Sequence, residues 1–361
     1  MATVSIGMTR PAIRPLSSVS GTPENKQPAC EYLSESDYCL WDRLAEDSPH
    51  ATVFHQSWWL RVSAAAFRIL VVRDDGGRII GGIPLTYKRL AGLDLIHAPA
   101  LTPYMGPIFD LSGARGTCEQ LHLMRHYGEA LARAIGPFDC FRCMAAACAP
   151  DLQGFLWAGF RISLAYTFRF FAQQTIDEIT KGMTRTHLQK LSKARRLKLT
   201  MTRDDGIETL LELRQLAYRR KGVRVRPDDD IVRRLWKAAC EHDQANLYVA
   251  RTESGYPVAG LLTVHDKRAT YQIVSGFHPE FSDVPGQNLA LWTALHDALT
   301  AGRDFDFEGS SLRGVEAFYR RWGCSAVPVW RIERAGTVTG KLALMAMRFQ
   351  DSRRYARSTV S

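Results

Sequence analysis

Polar and apolar residues alternate in the first part of the chain in a way that predicts strands joined by turns. Two strand candidates, FRILVVRDD and RIIGGIPLTYKRL, meet at Asp74–Gly77, where Asp-Gly and Gly-Gly pairs are typical of hairpins. A segment of helical periodicity, TCEQLHLMRHYGEALARAIG, then ends at Gly136, and FDCFRCMAA predicts another strand. The pattern therefore indicates a hairpin, a helix and a strand in that order.

The same order returns in the second part of the chain. The segment ANLYVARTESGYPVAGLLTVHDKRATYQIVSGFHP predicts three strands, and QNLALWTALHDALTAG predicts a helix that ends at Gly302. DFDFEG predicts a strand, LRGVEAFYRRWG a helix, AVPVWRIER a last strand and GKLALMAMRFQDSRRYAR a terminal helix. We predict a mixed α/β (α+β) fold of two similar halves. The expected units are a flexible arm (1–28), an N-terminal domain (29–172), a C-terminal domain (173–338) and a terminal helix and tail (339–361).

Composition narrows the possible partners. The 361 residues carry a formal charge of +10, which favours polyanionic partners such as RNA or phosphate-bearing cofactors. No stretch approaches the roughly 20 apolar residues of a membrane span, and the N-terminus lacks a signal-peptide pattern, so we expect a cytoplasmic protein. The eight cysteines are scattered, which favours reduced thiols. Cys140 and Cys143 form a CxxC, but they point to opposite faces of a strand, so we expect no metal site.

A strongly basic segment lies between the halves. From Lys181 to Arg203 the chain has eight Lys or Arg residues and no acid, and most of this segment is compatible with a helix. One interpretation is a solvated helix face, which is what a charge run usually is. The other is a surface that follows phosphates, with Lys190 and Arg195 among its contacts.

The strongest chemical candidate is the stretch GRDFDFEGSSLRGVEAFYRRWGC, residues 302–324. In a strand, Asp304, Asp306 and Glu308 lie on one face and the two Phe residues on the other. Like-charged neighbours raise the pKa of a carboxyl group, as a general base requires. We expect Glu308 to be that base, because it ends the strand, with Asp306 as its neighbour. The alternative is that these acids only form ion pairs with the arginines nearby: Arg303, Arg313, Arg320 and Arg321.

These residues resemble a known family. AFYRRWGC (317–324) resembles the FYxxxGF segment of the GNAT acyltransferases, with Cys324 where Phe is usual. The two-half layout resembles the tandem-GNAT group of Fem-type aminoacyltransferases and BioF2-like acetyltransferases. TPYMGPIF (102–109), TRTHLQKLSKARR (184–196) and FDFEGSSLRGVEAFYRRWG (305–323) are similar to segments of that group. The resemblance covers residues 50 to 335.

The resemblance implies roles for two further groups of residues. Tyr319 matches the tyrosine that protonates the leaving thiolate in GNAT enzymes; the alternative is a residue that only packs on an amphipathic helix. The loop that holds the pyrophosphate of CoA matches DVPGQNLALW, with Gly286, Gln287 and Asn288 as candidate contacts. Asp283 and Asn288 depart from the pattern, because Gln or Arg is expected at the first position and a small residue at the second, so Gly286 alone fits.

The resemblance also implies an acceptor cleft. Candidate contacts in the first half are Tyr104, His55 and Trp58, with a plain proline-rich turn and core aromatic residues as the alternatives. Beside Glu308, Ser310 and Arg313 are candidate substrate contacts, and Arg313 suits a phosphate or carboxylate.

Three functions compete on this basis. The first is an N-acyltransferase that moves an acyl group from acyl-CoA, such as acetyl-CoA, to a small-molecule amine. The second is an aminoacyltransferase that uses charged tRNA as donor, which the basic segment and Asp283 favour. The third is an RNA-binding protein without catalytic activity, whose binding would depend strongly on salt.

Overall fold

The computed structural model describes residues 28–74, 76–203, 206–220, 222, 224–309 and 313–357. Almost all of the predicted arm (1–28) therefore lies outside the described residues. The first half contains β1 (Cys30–Tyr32), α1 (Tyr38–Asp47), α2 (Ser57–Ser63), β2 (Phe67–Arg73), β3 (Ile79–Leu90), β4 (Leu93–His97), β5 (Ile108–Phe109), α3 (Thr117–Ala134), β6 (Cys140–Ala145), α4 (Gln153–Trp157) and β7 (Arg161–Phe170).

Two helices, α5 (Ile176–Gly182) and α6 (Arg185–Arg196), join the halves. Helix α5 begins with a capping box, in which Thr175 and Glu178 bond to each other's backbone N–H groups. The second half contains β8 (Thr200–Thr202), α7 (Ile207–Arg220), α8 (Asp229–Glu241), β9 (Ala245–Arg251), β10 (Pro257–His265), β11 (Ala269–Phe277), α9 (Gly286–Thr300), β12 (Asp304–Asp306), α10 (Arg313–Arg320), β13 (Ser325–Ala335) and, last, α11 (Val338–Arg357). Short 3-10 helices occur at Glu35–Asp37, Val53–His55 and Pro279–Phe281.

The order of elements confirms the predicted α/β class and the two similar halves. With β5 set aside, each half reads strand, helix, helix, three strands, helix, strand, helix, strand. The predicted strand at 304–309 is shorter than expected. It ends at Asp306, because Glu308 and Gly309 have φ angles of 60° and 63°, in the left-handed region, where an extended strand cannot continue.

One sheet runs through both halves, in the order β1-β2-β3-β4-β6-β13-β7-β12-β11-β10-β9-β8. The last strand of each half lies inside the other half's sheet. β13 is inserted between β6 and β7, and β7 is inserted between β13 and β12. The two exchanged strands are antiparallel neighbours, with Val329 opposite Ala165 at the centre of their pairing. The predicted division at residues 172 and 173 stays a prediction.

Helices cover both faces of this sheet. In β2, Ile69 and Val71 pack in the cluster of Trp41 from α1, whereas Leu70 and Val72 pack in the cluster of Leu131 from α3. In the second half, β10 repeats this arrangement between α7 and α9: Leu262 packs with Leu210 of α7, and Leu261 packs with Leu291 of α9. The CxxC cysteines follow the same alternation, since Cys140 packs beside Leu344 of α11 and Cys143 packs in the α3 core. They point apart, as predicted.

Candidate active site

The two central strands of the second half separate beside the candidate carboxylates. Strands β11 and β12 are parallel and pair only between Ala269–Tyr271 and Asp304–Asp306. Strand β11 continues to Phe277, and in that stretch no strand among the described residues pairs with it on the β12 side. Gln272, Ser275 and Phe277 are only half-buried there. An opening between parallel strands, at their carboxyl ends, is where α/β proteins place ligands.

Glu308 lies at this opening in a strained backbone conformation. A residue other than glycine rarely adopts a positive φ, and such strain collects at functional sites. Its backbone N–H donates to Asp306 Oδ1 at 2.7 Å, which holds the kink. Gly309 follows at φ 63°, and any side chain there would come within 2.4 Å of the carbonyl oxygen of Tyr166. The sequence Glu-Gly therefore fits this turn against β7, whereas the alternation of a regular strand does not.

Asp306 is fully buried and organises the site. Its carboxylate accepts hydrogen bonds from the Tyr104 hydroxyl at 3.0 Å and from Arg169 Nε at 2.7 Å. Thr167 donates a third bond through its hydroxyl. All three donors belong to the first half, and two of them lie on the exchanged strand β7. The first half therefore fixes the acid on which the turn at Glu308 depends.

The carboxyl group of Glu308 is shielded, although the residue as a whole is half-buried. Its Oε1 atom is inaccessible to solvent and has no hydrogen-bond partner among the described residues. Burial raises the pKa of the Glu308 carboxyl well above its ordinary value of 4.5, and the nearby Asp306 carboxylate raises it further. Such a group exchanges protons at a higher pH than a surface carboxyl does, which suits acid–base catalysis.

Tyr319 lies beside this carboxyl group. Its ring packs on Phe307 and Phe168, with ring centroids 4.6 Å and 5.7 Å away. Burial raises the pKa of its hydroxyl above the ordinary value of 10, and the Glu308 and Asp306 carboxyls add to the effect. The packing expected of a core residue is thus present at Tyr319. Its hydroxyl also keeps its proton, as the alternative role of a proton donor requires.

A second group of donors surrounds the start of α9. The backbone N–H groups of Gln287 and Asn288 make no hydrogen bond among the described residues, as is usual in the first turn of a helix. The side-chain amide of Asn288 is buried, and its Nδ2 also lacks a partner there. Lys193 of α6 donates to the carbonyl oxygen of Asp283 at 2.7 Å, so the basic helix lies against this loop.

These donors suit a phosphate group, because helix N-termini and nearby cations attract anions. Gly286 packs closely on the sheet, where an added Cβ would lie 2.7 Å from Val258. The exposed carboxylate of Asp283 is the one feature at this loop that disfavours an anion. The residues present therefore fit the pyrophosphate of CoA in part.

The remaining first-half candidates are placed differently. His55 is buried and bonds to Thr52 through Nδ1 and to Gly106 through Nε2. Burial lowers its pKa to about 4, so the imidazole is neutral at physiological pH. Trp58 stacks on His242, with ring centroids 4.6 Å apart. Of this group the structure brings only Tyr104 to the carboxylates, and it does so through Asp306.

A cavity of about 420 Å³ lies beside α10. Phe168 forms part of its wall, and the ring of Phe168 also packs against the ring of Tyr319. Arg313, predicted from the sequence, lies at the start of α10 and lines it. Ser310 lies outside the described residues. The lining residues are Tyr166, Phe168, Arg313, Glu316, Arg320, Cys324 and Ala326.

The basic candidates lie on α6. Lys190 and Arg195 are exposed, and neither forms an ion pair with a described residue. Within the part of the chain that the structure describes, no group of three or more His, Cys, Asp or Glu side chains is placed to hold a metal ion. No helix there combines the length and the apolar character needed to cross a membrane.

Comparison with known proteins identifies the fold around these residues. Residues 180–320, which include Glu308, Tyr319 and the start of α9, match the family model described as an acetyltransferase (GNAT) domain. This part of the chain is a GNAT acetyltransferase-type domain. The predicted resemblance and enzyme class are thereby confirmed, and no curated protein matches the chain in sequence.

Solved structures show a similar fold over both halves of the chain. A crystal structure of FemX aligns over 84% of this chain and 96% of its own, with 16% identity and a TM-score of 0.63. The C-terminal domain (DUF2156) of a putative lysylphosphatidylglycerol synthetase from Agrobacterium fabrum aligns over 86% of this chain and 95% of its own, with 16% identity and a TM-score of 0.54. At these identities the similarity concerns the fold.

Thr167 and Arg169 were missed by sequence reasoning. The alternation in β7 places both side chains on one face of a strand, which was the available signal. The sequence around β7 does not show that this strand pairs with β12. Asp306 of β12 is 139 residues from Thr167 and 137 residues from Arg169.

Proposed function

We propose that this protein transfers an acyl group from acyl-CoA to the amine of a small acceptor, with Glu308 as general base. The observation that carries the proposal is the Glu308 carboxyl at the opening between β11 and β12. One of its oxygens is shielded and has no hydrogen-bond partner in the described part of the chain, its pKa is raised, and it lies inside the segment that matches the GNAT domain. Ordinary buried acids are satisfied by hydrogen bonds, as Asp306 is, so an unsatisfied one calls for a functional explanation.

Glu308 would take the proton that the amine must lose before it attacks. An aliphatic ammonium has a pKa near that of lysine, about 10.4, so a carboxylate with an ordinary pKa is a weak base for it. The raised pKa of Glu308 lies closer to the pKa of the ammonium group, so the carboxylate is a stronger base for this proton. Oε1 would take this proton, because it has no hydrogen-bond partner among the described residues. The hydrogen bond from the Glu308 backbone N–H to Asp306 would hold the turn that carries it.

On the donor side, the N–H groups of Gln287 and Asn288 would hold the phosphates, with Lys193 beside them. Acyl-CoA, when bound, supplies an activated thioester carbonyl. The Tyr319 hydroxyl keeps its proton because its pKa is raised, and it can give that proton to a departing thiolate. Replacing Tyr319 by Phe should therefore lower turnover about tenfold while leaving CoA affinity unchanged.

The 420 Å³ cavity is the proposed acceptor pocket. Its walls are mainly apolar, formed by Tyr166, Phe168 and Ala326, and one end carries the charged residues of α10. A pocket of this kind holds the body of a small molecule by apolar contact and orients it by a few polar groups. Phe168 supports this assignment, because it lines the cavity and also packs against the Tyr319 ring.

Aminoacyl-tRNA is the second candidate donor, and one observation favours it. Helix α6 presents Lys190, Arg195 and Arg196 to solvent without ion pairs among the described residues, next to the donor loop. Such a row of cations suits a nucleic-acid backbone. The Asp283 carboxylate points to the same alternative, because it disfavours pyrophosphate at the loop.

Calorimetric titration of acetyl-CoA into nucleic-acid-free protein tests the proposal. We expect one saturable site, weakened at least tenfold by Asn288→Asp, which puts a negative charge at the start of α9. Gln120→Glu is the matched control, because it adds the same charge to the first turns of α3 in the other half. Acetyl transfer to a panel of amines then gives the activity.

The donor experiment also decides between the candidates. If no acetyl-CoA binds and charge reversal at Lys190, Arg195 and Arg196 abolishes transfer from aminoacyl-tRNA, the second candidate is correct. If neither donor supports transfer and RNA still binds, the function is binding alone and the acyltransferase proposal fails.

A further inference from the structure

The C-terminal helix α11 is apolar on two opposite sides, and the described chain uses only one of them. On the inner side, Leu344 is buried with Leu95 and Cys140, and Met347 packs against the same cluster. Gly340 allows close contact there, since an added Cβ would collide with the carbonyl oxygen of Asp139. The helix is also fixed by Arg348, which forms an ion pair with the buried Glu333 of β13 at 2.8 Å.

The outer side carries four large apolar side chains in solvent, which we call the outer stripe. Val338, Leu342, Met345 and Phe349 are 78%, 62%, 56% and 59% exposed. Their spacing of four, three and four residues places them within an arc of about 60° on the helix surface, over three turns. Scattered exposed apolar residues are common, but a continuous row of this kind indicates an interaction surface.

The charges beside the outer stripe are positive. Lys341 and Arg353 are exposed, and neither forms an ion pair with a described residue; the Arg353 guanidinium lies 4.7 Å from the Phe349 ring centre. The one acid of α11, Asp351, is bound to Arg142. The sequence of the helix continues with two more arginines, at positions 354 and 357.

The tip of the β3–β4 hairpin extends this basic, apolar area. Lys88, Arg89 and Leu90 are exposed at the end of β3. Leu90 and Met347 line the same cavity of about 710 Å³, so the hairpin tip borders one flank of α11. Apolar side chains and cations therefore occur together on two neighbouring elements.

We propose that the outer stripe docks on an anionic lipid surface. An amphipathic helix with a narrow apolar face and flanking cations inserts at the boundary of headgroups and acyl chains, where anionic lipids attract it. A second copy of the chain would bring the same cations face to face. The N-terminal segment 1–27 has no complementary charge either, since it contains Arg10, Arg14 and Lys26 and a single acid, Glu24.

Co-sedimentation of the full chain with lipid vesicles tests this proposal, whatever the donor and acceptor are. We expect binding to phosphatidylcholine vesicles that contain phosphatidylglycerol to be at least tenfold tighter than to pure phosphatidylcholine vesicles, and to weaken as salt is raised.

The double variant Leu342→Ser/Phe349→Ser should lose at least tenfold in affinity for the anionic vesicles. The matched control is Leu156→Ser/Trp157→Ser on α4, which removes two apolar side chains that are 48% and 52% exposed and should bind within twofold of wild type.

Circular dichroism and melting would confirm that both variants are folded, and Leu342→Glu/Phe349→Glu provides a second test in which repulsion is added. The proposal is overturned if the wild-type chain does not bind the anionic vesicles, or if the α11 variants bind as wild type does. Two further outcomes would overturn it. If sedimentation velocity finds a dimer that the α11 variants lose, a second copy of the chain covers the outer stripe. If only a chain lacking residues 1–27 binds the vesicles, the N-terminal segment covers it.

Discussion

The two halves share an order of elements but not a chemistry. The parallel pair Leu95–Cys140 in the first half corresponds to Ala269–Asp304 in the second. Two residues after Asp304 and Cys140, the second half has Asp306 and the first half has Arg142. Four residues after them, the second half has Glu308 and the first half has Met144. Strand β6 runs straight on to Ala145, whereas β12 ends in the left-handed turn. The fold alone therefore does not create the site; a kinked strand end with a shielded carboxyl does.

The first half instead supplies support to the second. Tyr104, Thr167 and Arg169 all bond to Asp306 across the boundary between the halves. The second half thus holds the proposed donor loop and Asp306, and the first half holds Asp306 in position. This division of roles can be tested by comparing matched changes in the two halves.

The largest expected effect is on catalysis by Glu308→Gln. The variant keeps the shape of the side chain and removes the base, so the transfer rate should fall by about a hundredfold to ten-thousandfold. Met144→Leu at the corresponding position of the first half should stay within twofold of wild type. Steady-state rates with a saturating donor measure both. Equal losses in the two variants would contradict the division of roles.

The next largest effect is on stability. Asp306→Asn removes the closer of the two carboxylates beside the buried Arg169, at 2.7 Å, and leaves Asp304 at 3.8 Å, which should lower the free energy of unfolding by about 3 kcal/mol. Glu333→Gln breaks the buried pairs of Glu333 with Arg142 and Arg348 and should cost a similar amount. Urea denaturation compares the two. Only Asp306→Asn should also slow transfer at temperatures where both variants are folded.

A smaller effect is expected from Tyr104→Phe, which removes one hydrogen bond to the charged Asp306. The loss should be about 1.5 kcal/mol in unfolding free energy, because bonds to charged groups are stronger than neutral ones. Tyr248→Phe removes a comparable bond to Asp297 within the second half and is the control. If Tyr104 acts only through Asp306, the Michaelis constant for the donor stays unchanged.

The smallest effect is on the pH dependence of stability. Because the folded-state pKa of Glu308 is raised above its ordinary value of 4.5, the folded protein holds that proton more tightly than the unfolded chain does. Stability from this group is thus complete below about pH 4.5 and is lost as pH rises through the folded pKa. Glu308→Gln should therefore melt as wild type does at pH 4 and at a higher temperature at pH 8. A lower melting temperature for the variant at pH 8 would contradict a raised pKa.

The sequence predicted most of the order of elements, because that order follows from local periodicity. The alternation in DFDFEG also placed Asp304 and Asp306 opposite the two Phe residues. It was wrong at Glu308, where the Glu-Gly pair turns the chain into a left-handed conformation that a strand pattern does not reveal. Four helices, α1, α4, α7 and α8, were left without a prediction, and so were strands β1, β4, β5, β7 and β8.

The partners of the carboxylates were beyond local patterns. Tyr104 and Asp306 are 202 residues apart, and they meet only because the exchanged strand β7 joins the two halves of the sheet. Tyr104 was chosen as an acceptor contact for its place in a proline-rich loop. Its observed bond to an acid of the other half follows from the strand order, which no single segment encodes.

The exchange of β7 and β13 also has a consequence for the way the protein is made. Strand β13 (Ser325–Ala335) follows all the other described strands in the sequence, so it leaves the ribosome after both of the strands that it pairs with. Until then β6 and β7 lack the strand that lies between them, and both expose unpaired backbone groups of the kind that drives aggregation. The first half therefore cannot complete its sheet during translation, and a chain that stops short of residue 325 leaves both halves open. We expect newly made chains to depend on protection by chaperones until the last strand arrives.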